Sequence, residues 1–378
     1  YLVNQGVLLQ DARDYAFGGC LDVNIPGKSR INAFGMFIVP RVFEITMNNG
    51  IDPRTGKQLG LKTGDFEKSK TFDDFMNAFK KQLAYFMGLA VEEHNITLRA
   101  QTELFPDPVH SIMMVDAIKV GKDVLDRVLP FENGSALNCV GMINVADSMA
   151  AVKKLVFDEK KVTKKELKAA LAANWQGYEE IHKMCLAAPK YGNGDPYVDS
   201  IAAELYQFWA DTAVTFPTAW GGTVKPTGIS ITAHAPGGAL TGATPDGRFA
   251  GETLADGTMS PGQGRDTHGP TAVLRSAMAI NQIPYQATLL NMKFHPSALK
   301  STEDLSKLSS LIKTYFSAGG KHIQFNVVDR KMLQDAQEHP EKYRDLIIRV
   351  AGYSAYFVQL TRPVQDEIMM RTEHGFNG

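Results

Sequence analysis

Residues 349–357 read Arg-Val-Ala-Gly-Tyr-Ser-Ala-Tyr-Phe, so Gly352 stands alone among apolar and aromatic side chains. A glycine in such surroundings often marks backbone with a positive φ or a close approach to another segment. A second unusual loop, Gly-Gly-Cys-Leu-Asp at residues 18–22, predicts a sharp turn at Cys20. In an extended loop residues i and i+2 face the same way, which would place Asp22 beside the Cys20 sulfur. Taken singly, the first loop is typical of a helix cap and the second of a packed cysteine.

The composition is that of an ordinary globular protein with balanced charge. The 378 residues include 40 Lys and Arg and 41 Asp and Glu, for a net charge of −1, and 44% are hydrophobic. The length predicts one large domain or two to three smaller ones. The balanced charge argues against nucleic acid as a partner, and the lack of any run of about 18 apolar residues argues against a membrane span.

The three cysteines indicate a reducing environment. Their odd number and wide spacing argue against a disulfide framework and against a Cys-x-x-Cys metal site. The cytoplasm is therefore the default location, and Cys139 and Cys185 are expected to be packing residues.

The chain begins at Tyr1 without the pattern of a signal peptide. We expect a fragment, a processed chain or one half of a split protein.

Three amphipathic helices are predicted from apolar side chains that recur three to four residues apart. Thr71 opens the clearest one, over about residues 72–89, in a capping-box arrangement. Thr163 opens a second helix in the same way, and apolar side chains between residues 305 and 316 mark a third.

Two strands are predicted where apolar and polar residues alternate, at residues 321–328 and 228–232. In the first of them Ile323, Phe325 and Val327 would form the apolar face. A glycine-rich stretch at residues 236–270 is expected to form functional loops. Strands separated by long helices predict an α/β architecture, and a barrel is the arrangement we favour.

Further motifs accompany the two loops in order along the chain. They are Asn48-Asn49-Gly50, Tyr191-Gly192-Asn193, Thr244-Pro245-Asp246-Gly247-Arg248, Asn291-Met292-Lys293-Phe294-His295-Pro296, His322-Ile323-Gln324-Phe325-Asn326, Gln365-Asp366-Glu367-Ile368 and Arg371-Thr372. Together these residues resemble the glycyl radical enzymes, the pyruvate formate-lyase-like superfamily, from Gly18 almost to the C-terminus. The resemblance implies the second half of a ten-stranded β/α barrel, with the Cys loop and the C-terminal Gly loop meeting in its centre. It divides the chain into residues 1–245, the barrel half with the Cys loop, and residues 246–378, the glycyl radical domain.

The resemblance also implies roles for the two loops. In this family an unpaired electron is stored on the α-carbon of one glycine, here Gly352. That radical would take a hydrogen atom from Cys20, and the resulting thiyl radical would take one from the substrate. A separate radical S-adenosylmethionine activating enzyme would install the radical after translation, and no metal or other bound cofactor is expected. The other implied partners are a missing N-terminal half of the barrel, in the same or a separate chain, a small-molecule substrate and further copies in a homo-oligomer.

The neighbours of Cys20 distinguish the branches of the family. In the branch that transfers an acyl group from pyruvate, the typical pattern is two adjacent cysteines. In the anaerobic ribonucleotide reductases it is a cluster of cysteines near the glycine. This chain has neither pattern. The fumarate-adding synthases typically have a Cys-Met-Ser-Pro loop and an arginine fifteen residues after the cysteine. At that place this chain has Gly35. The most similar pattern is the Gly-Cys-Val-Glu-Pro of the dehydratase, decarboxylase and C–N or C–S lyase branch, in which the glutamate is a general base. Here Asp22 takes that place, and no proline follows.

Asp22 reaches about 1.5 Å less far than a glutamate, which is the length of one carbon–carbon bond. Either the substrate lies nearer to the loop, or Asp22 removes a proton through a water molecule, or it only holds the loop by hydrogen bonding. Polar residues that bind hydroxylated substrates in the dehydratases fall where this chain has Ala33 and Phe34. These two residues predict an apolar wall and a less hydroxylated substrate, such as an aromatic one.

The leading interpretation is an oxygen-sensitive glycyl radical lyase, which would release water, carboxylate or another leaving group from a small organic molecule. One alternative is a non-catalytic or half-enzyme subunit that completes a split barrel, and another is a radical synthase that adds fumarate. A third is a hydrolase with Cys20 as nucleophile and His234 as its base, although Gly352 would then be unexplained. His234 could also face the pocket as a proton shuttle or be a buried loop residue with satisfied hydrogen bonds.

Overall fold

The computed structural model describes residues 1–30, 32–126, 129–131 and 134–376, with only the backbone of residues 32–34. In this part of the chain the strands are β1 (Ala16–Gly18), β2 (Asp22–Asn24), β3 (Asn32–Ile38), β4 (Ser135–Val140), β5 (Lys225–Thr227), β6 (Asn291–Phe294), β7 (Gln324–Val327), β8 (Ile347–Arg349), β9 (Ser354–Tyr356) and β10 (Glu373–His374). The α-helices are α1 (Leu9–Arg13), α2 (Val39–Met47), α3 (Phe72–Leu104), α4 (Pro108–Ile112), α5 (Ala117–Val120), α6 (Met142–Val152), α7 (Lys164–Ala172), α8 (Glu179–Ala187), α9 (Pro196–Ala213), α10 (His234–Ala239), α11 (Pro270–Ala279), α12 (Thr302–Ser317), α13 (Arg330–Glu338) and α14 (Arg362–Met370).

Parallel strands form the centre of the fold. β3, β4 and β5 pair side by side in chain order, and in a second sheet β6 lies between β7 and β10. Isolated parallel bridges, from Gly228 to Thr288 and from Thr258 to Leu289, continue the pairing between the two sheets. Helices α2 and α6 directly follow β3 and β4 and contact each other. The predicted α/β architecture is therefore confirmed.

Two antiparallel hairpins carry the two unusual loops. Residues 19–21 form the tip between β1 and β2, and residues 350–353 form the tip between β8 and β9. A short tip between paired strands holds its residues in defined positions, because the pairing sets the register of both sides.

The helix starts follow the capping residues. α3 and α7 each begin with a capping box, at Thr71 and Thr163, and α12 covers the third predicted helix. These predictions are confirmed. α3 continues to Leu104 instead of ending near residue 89, because Val91 and Leu98 extend its buried face.

Both predicted strands differ from the expectation. Residues 228–232 form no strand, since β5 ends at Thr227 and Ile231 adopts left-handed backbone with a φ of +52°. β7 is shorter than the predicted segment, and burial does not follow the alternation of apolar and polar residues. Gln324 and Asn326 are buried, whereas Val327 is 46% exposed. Buried amides need hydrogen-bond partners, and those of β7 are found in the loop of Gly352.

The hydrophobic core is divided between two main clusters. The larger one lies among α3, α6 and α9 and includes the fully buried Phe79 and Trp209, as well as Cys139 and Cys185, which therefore are packing residues as predicted. The second lies beneath the hairpin of β8 and β9 and is formed by Leu333, Ala336, Ile348, Val350, Phe357, Val364, Ile368 and Met369. None of the helices in the described residues combines the length and apolar character needed to cross a bilayer.

Candidate active site

Cys20 lies at the tip of the hairpin formed by β1 and β2. Gly19 beside it has a φ of +59°, a conformation that glycine adopts without strain. Leu21 on the other side is buried against Leu289 and Ala351, so it fixes the tip at the centre of the fold. Cys20 itself is only partly buried, because one side of it borders a cavity.

Gly352, at the tip of the hairpin formed by β8 and β9, lies directly against Cys20. Its φ is +87°, and a β-carbon built on it would lie 2.5 Å from Cβ and 3.1 Å from Sγ of Cys20. A carbon atom does not fit at the shorter of these distances, because it lies well inside the van der Waals contact distance of two carbons. The hydrogen that takes the place of a side chain therefore points at the cysteine. The structure brings together the two residues that the sequence analysis singled out.

Both polar groups of the Gly352 backbone are hydrogen-bonded. Its N–H donates to Gln324 Oε1 at 3.3 Å, and its carbonyl oxygen accepts from Arg349 Nη2 at 3.1 Å. Arg349 Nε donates to the same Gln324 Oε1 at 2.8 Å. The Asn326 side chain binds the backbone of Arg349, donating to its carbonyl at 2.7 Å and accepting from its N–H at 2.9 Å. The polar face of β7 is thus buried because it holds the glycine loop.

A buried charge network supports the same loop from behind. Arg371 donates to the Val350 carbonyl at 3.0 Å, makes two bonds of 2.8 Å to Glu367 and lies 3.5 Å from Asp256. Burial by itself raises the pKa of Glu367, but the charge of Arg371 and the neighbouring His234 side chain outweigh it and hold that pKa well below its usual range. A fully buried carboxylate that stays charged fixes its arginine partner in place.

His234 belongs to this network. It is fully buried, with Nε2 3.3 Å from Glu367 Oε2 and Nδ1 3.5 Å from Ser230 Oγ. It is not among the described residues that line the cavity beside Cys20, and no hydrogen bond in this part of the chain joins it to Cys20. His234 Nε2 has no hydrogen-bond partner among the described residues, and the role of this histidine stays a prediction.

Asp22 lies beside Cys20 because β2 begins immediately after the hairpin tip, so the proximity comes from a turn and not from an extended loop. Its side chain is buried, and its Oδ1 has no hydrogen-bond partner among the described residues. Burial raises the pKa of Asp22 to about 6. Burial and then the charge of Asp22 also raise the pKa of Cys20, so its sulfur keeps its hydrogen.

The cavity that Cys20 borders has a volume of about 550 Å³. Its walls include Tyr15, Phe17 and Leu21 as well as polar side chains whose atoms lack hydrogen-bond partners within the described residues. These atoms are Lys321 Nζ, His322 Nδ1 and Gln286 Oε1. Burial lowers the pKa of Lys321 to about 7, and burial followed by the charge of Arg349 lowers the pKa of His322 to about 4. The predicted apolar wall of Ala33 and Phe34 lies outside the side chains that the structure describes.

The sequence did not predict roles for Arg349, Gln324 and Lys321 in the site. A signal was present for Gln324, because a polar residue inside an otherwise apolar strand either faces solvent or binds something buried. Arg349 was part of a quoted motif, but the spacing of the motif did not show that its side chain folds back onto Gly352. Among the described residues no group of three or more His, Cys, Asp and Glu side chains is arranged to hold a metal ion.

Comparisons with known proteins show which families the sequence matches. The sequence model of the family described as "Pyruvate formate lyase-like" matches residues 1–238, and the model described as "Glycine radical" matches residues 255–358. The chain is 38% identical to trans-4-hydroxy-L-proline dehydratase of Clostridioides difficile, over 99% of this chain and 47% of that protein. It is 36% identical to isethionate sulfite-lyase of Oleidesulfovibrio alaskensis, over 98% of this chain and 46% of that protein.

Solved structures are similar over the same extent. The crystal structure of the C. difficile hydroxyproline dehydratase with bound trans-4-hydroxy-L-proline superposes with a TM-score of 0.96 at 37% identity, over 99% of this chain and 47% of that one. The glycerol-bound B12-independent glycerol dehydratase of Clostridium butyricum superposes with a TM-score of 0.94 at 42% identity, over 99% of this chain and 48% of that one. The chain thus spans about half the length of the relatives that it matches. Since the family model covers more than half of its residues, the chain belongs to the pyruvate formate lyase-like family of glycyl radical enzymes.

Proposed function

We propose that this chain is the cysteine- and glycine-bearing part of a glycyl radical lyase that acts on a small organic molecule. The proposal depends on the contact between Gly352 and Cys20, since an α-hydrogen of the glycine points at a cysteine that also borders a cavity. The relatives support the reaction class, because their names describe dehydratases, a decarboxylase and sulfite-lyases.

In this proposal residues 1–245 form the second half of a ten-stranded β/α barrel and residues 246–378 form the glycyl radical domain. The parallel pairing of β3, β4 and β5 and the boundary between the two family matches support this division. The other half of the barrel would come from a further segment or from a separate chain. A radical S-adenosylmethionine activating enzyme is the partner that would install the radical. The homo-oligomer and the cytoplasmic location stay predictions.

The reaction would proceed by hydrogen-atom transfers. The Gly352 radical takes the hydrogen of the Cys20 thiol, so the S–H bond breaks and a C–H bond forms. The Cys20 thiyl radical then takes a hydrogen atom from a substrate carbon in the cavity. The Asp22 carboxylate accepts a proton from the substrate radical, which allows a neighbouring group to leave with its bonding electron pair. The product radical finally takes a hydrogen atom from Cys20, and the radical returns to Gly352.

The alternatives have less support. A cysteine nucleophile reacts as the thiolate, whereas burial and Asp22 raise the pKa of Cys20, which suits a hydrogen-atom donor better than a hydrolase. No contact within the described residues favours fumarate addition. The half-enzyme alternative differs from the proposal only in where the rest of the barrel lies, and a companion chain of similar size that co-purifies would identify it.

The test is anaerobic activation of the protein, with its barrel complete, by a radical S-adenosylmethionine activating enzyme. Electron paramagnetic resonance should show a doublet from a glycyl radical. A substrate panel taken from the relatives would then contain trans-4-hydroxy-L-proline, glycerol, 1,2-propanediol, isethionate and indoleacetate. Turnover of indoleacetate, the aromatic compound of this panel, would agree with the apolar wall predicted from Ala33 and Phe34. Failure of the activated protein to form any glycyl radical would contradict the proposal.

Asp22→Asn should keep the radical but turn over about 10²–10⁴-fold more slowly, because an amide cannot accept the proton. Since the pKa of Asp22 is raised to about 6, the wild-type rate should rise with pH through that value and then level off. The variant should lose this step. Rates measured between pH 5 and 8 on protein with equal radical content test both expectations, and a wild-type rate in the variant would leave Asp22 as a loop-holding residue.

The stability of the same variant separates catalysis from folding. A carboxyl group whose folded-state pKa is raised stabilises the fold at low pH and loses that contribution as the pH rises from its unfolded value of 3.8 through about 6. Asp22→Asn should therefore be more stable than wild type at pH 7, by at most about 3 kcal/mol. Asp22→Glu is the matched variant that keeps the charge, and partial activity in it would show that loop geometry positions the base.

A further inference from the structure

We propose that Arg349 and Gln324 tune the stored radical, as positioning residues that polarise the backbone on both sides of the Gly352 α-carbon. The inference depends on the proposed function, in which Gly352 holds the radical. It concerns a different property, namely how far the unpaired electron spreads from that carbon into the neighbouring nitrogen and carbonyl oxygen.

The hydrogen bonds form a closed arrangement around the glycine. The Arg349 guanidinium donates through Nη2 to the Gly352 carbonyl and through Nε to Gln324 Oε1, at 3.1 and 2.8 Å. Gln324 Oε1 in turn accepts from the Gly352 N–H at 3.3 Å. One cation and one amide oxygen therefore contact both polar groups that flank the α-carbon, with a donor on the carbonyl and an acceptor on the N–H.

The surrounding residues fix this arrangement. Gln324 Nε2 donates to Asn291 Oδ1, which leaves Oε1 as the atom that faces Gly352. Asn326 binds both polar groups of the Arg349 backbone, so the arginine starts from a fixed position on β8. Gln324 and Asn326 are buried, and hydrogen bonds are stronger in such low-dielectric surroundings.

The polarity of these bonds matches the electronic demand of a glycyl radical. Delocalisation moves electron density from the nitrogen toward the carbonyl oxygen, so the nitrogen becomes more positive and the oxygen more negative. A cationic donor stabilises the more negative oxygen, and an acceptor on the N–H stabilises the more positive nitrogen. Arg349 and Gln324 should therefore lower the spin density on the α-carbon and lengthen the life of the radical. They would favour storage on Gly352 over transfer to Cys20.

The test compares the spectra of activated variants prepared with ¹⁵N-labelled glycine. Arg349→Met removes the cationic donor at similar side-chain length, and it should widen the α-hydrogen doublet, reduce the ¹⁵N coupling and shorten the anaerobic half-life of the radical about tenfold, since a hydrogen bond to a charged group is lost. Gln324→Glu places a stronger acceptor on the N–H and should change the doublet in the opposite direction. A purely structural role would lower the radical yield without changing the splitting of the radicals that form.

Ser354→Ala is the matched control, because Ser354 lies 3.5 Å from Nη1 of the same guanidinium and is not bonded to Gly352. Its doublet should equal that of wild type. Unchanged splitting in both Arg349→Met and Gln324→Glu would overturn the inference, as would a control that shifts as much as Arg349→Met. The inference would also be overturned if both variants have normal melting curves yet take up no radical, since the pair would then serve activation. A wild-type protein without a doublet would refute the proposed function instead.

Discussion

Gly352→Ala is expected to leave the protein without any radical after anaerobic activation and without cleavage when air is admitted. A β-carbon at this position would lie 2.5 Å from Cβ of Cys20 and crowd a planar radical carbon, and the φ of +87° disfavours any side chain by about 1–3 kcal/mol. In wild type, oxygen should cut the chain at the glycyl radical and release the residues beyond 352. Electron paramagnetic resonance before exposure and mass spectrometry after it measure the two effects.

Gly251→Ala is the matched control for backbone strain. Gly251 has a φ of +83°, and no described atom lies within 4 Å of a β-carbon built on it. This variant therefore carries the same kind of strain without contact to Cys20, and it should form the radical and be cut at Gly352 as wild type is. Activated wild-type protein that stays intact in air would contradict the assignment of the radical to Gly352.

Local features of the fold were predictable from the sequence because their causes are local. Thr71 and Thr163 cap α3 and α7 through bonds to residues three positions on, and that spacing is visible in the sequence. The pairing of Cys20 with Gly352 was predictable only through the family resemblance, since no local rule connects two hairpin tips so far apart. The structure then showed what the resemblance did not, that the α-hydrogen of Gly352 points at the cysteine.

The faces of β7 and the charges behind the glycine loop could not be predicted in this way. Alternation indicated only that this strand has an apolar face, whereas tertiary contacts with the loop of Gly352 bury the polar Gln324 and Asn326. The pairing of Glu367, on α14, with Arg371, the residue just after that helix, is local, but its contacts with Asp256 and His234 depend on segments more than a hundred residues away. Such networks are defined by packing, and a single sequence does not display packing.

Cys20→Ser is expected to abolish turnover while the doublet of Gly352 remains. A hydroxyl group holds its hydrogen more tightly than a thiol does, so the glycyl radical cannot take that atom and no substrate radical forms. Cys139→Ser is the matched control, because it makes the same substitution at a buried cysteine elsewhere in the core, where Cys139 contacts the Thr227 carbonyl. The control should retain both the doublet and turnover, as measured by spectroscopy and product formation with the best substrate of the panel.

Deuterium exchange tests the contact between the two residues without any substrate. The thiol of Cys20 exchanges its hydrogen with water, and reversible transfer between Cys20 and Gly352 would carry deuterium to the α-carbon. In D₂O the wild-type doublet should therefore collapse to a narrower signal, because the coupling to deuterium is smaller, and the same collapse is expected in Cys139→Ser. In Cys20→Ser the doublet should persist, since the serine hydroxyl holds its hydrogen too tightly to exchange it with the Gly352 radical. A collapse in Cys20→Ser as fast as in wild type would show that another group exchanges with Gly352, and the assignment of hydrogen transfer to Cys20 would fail.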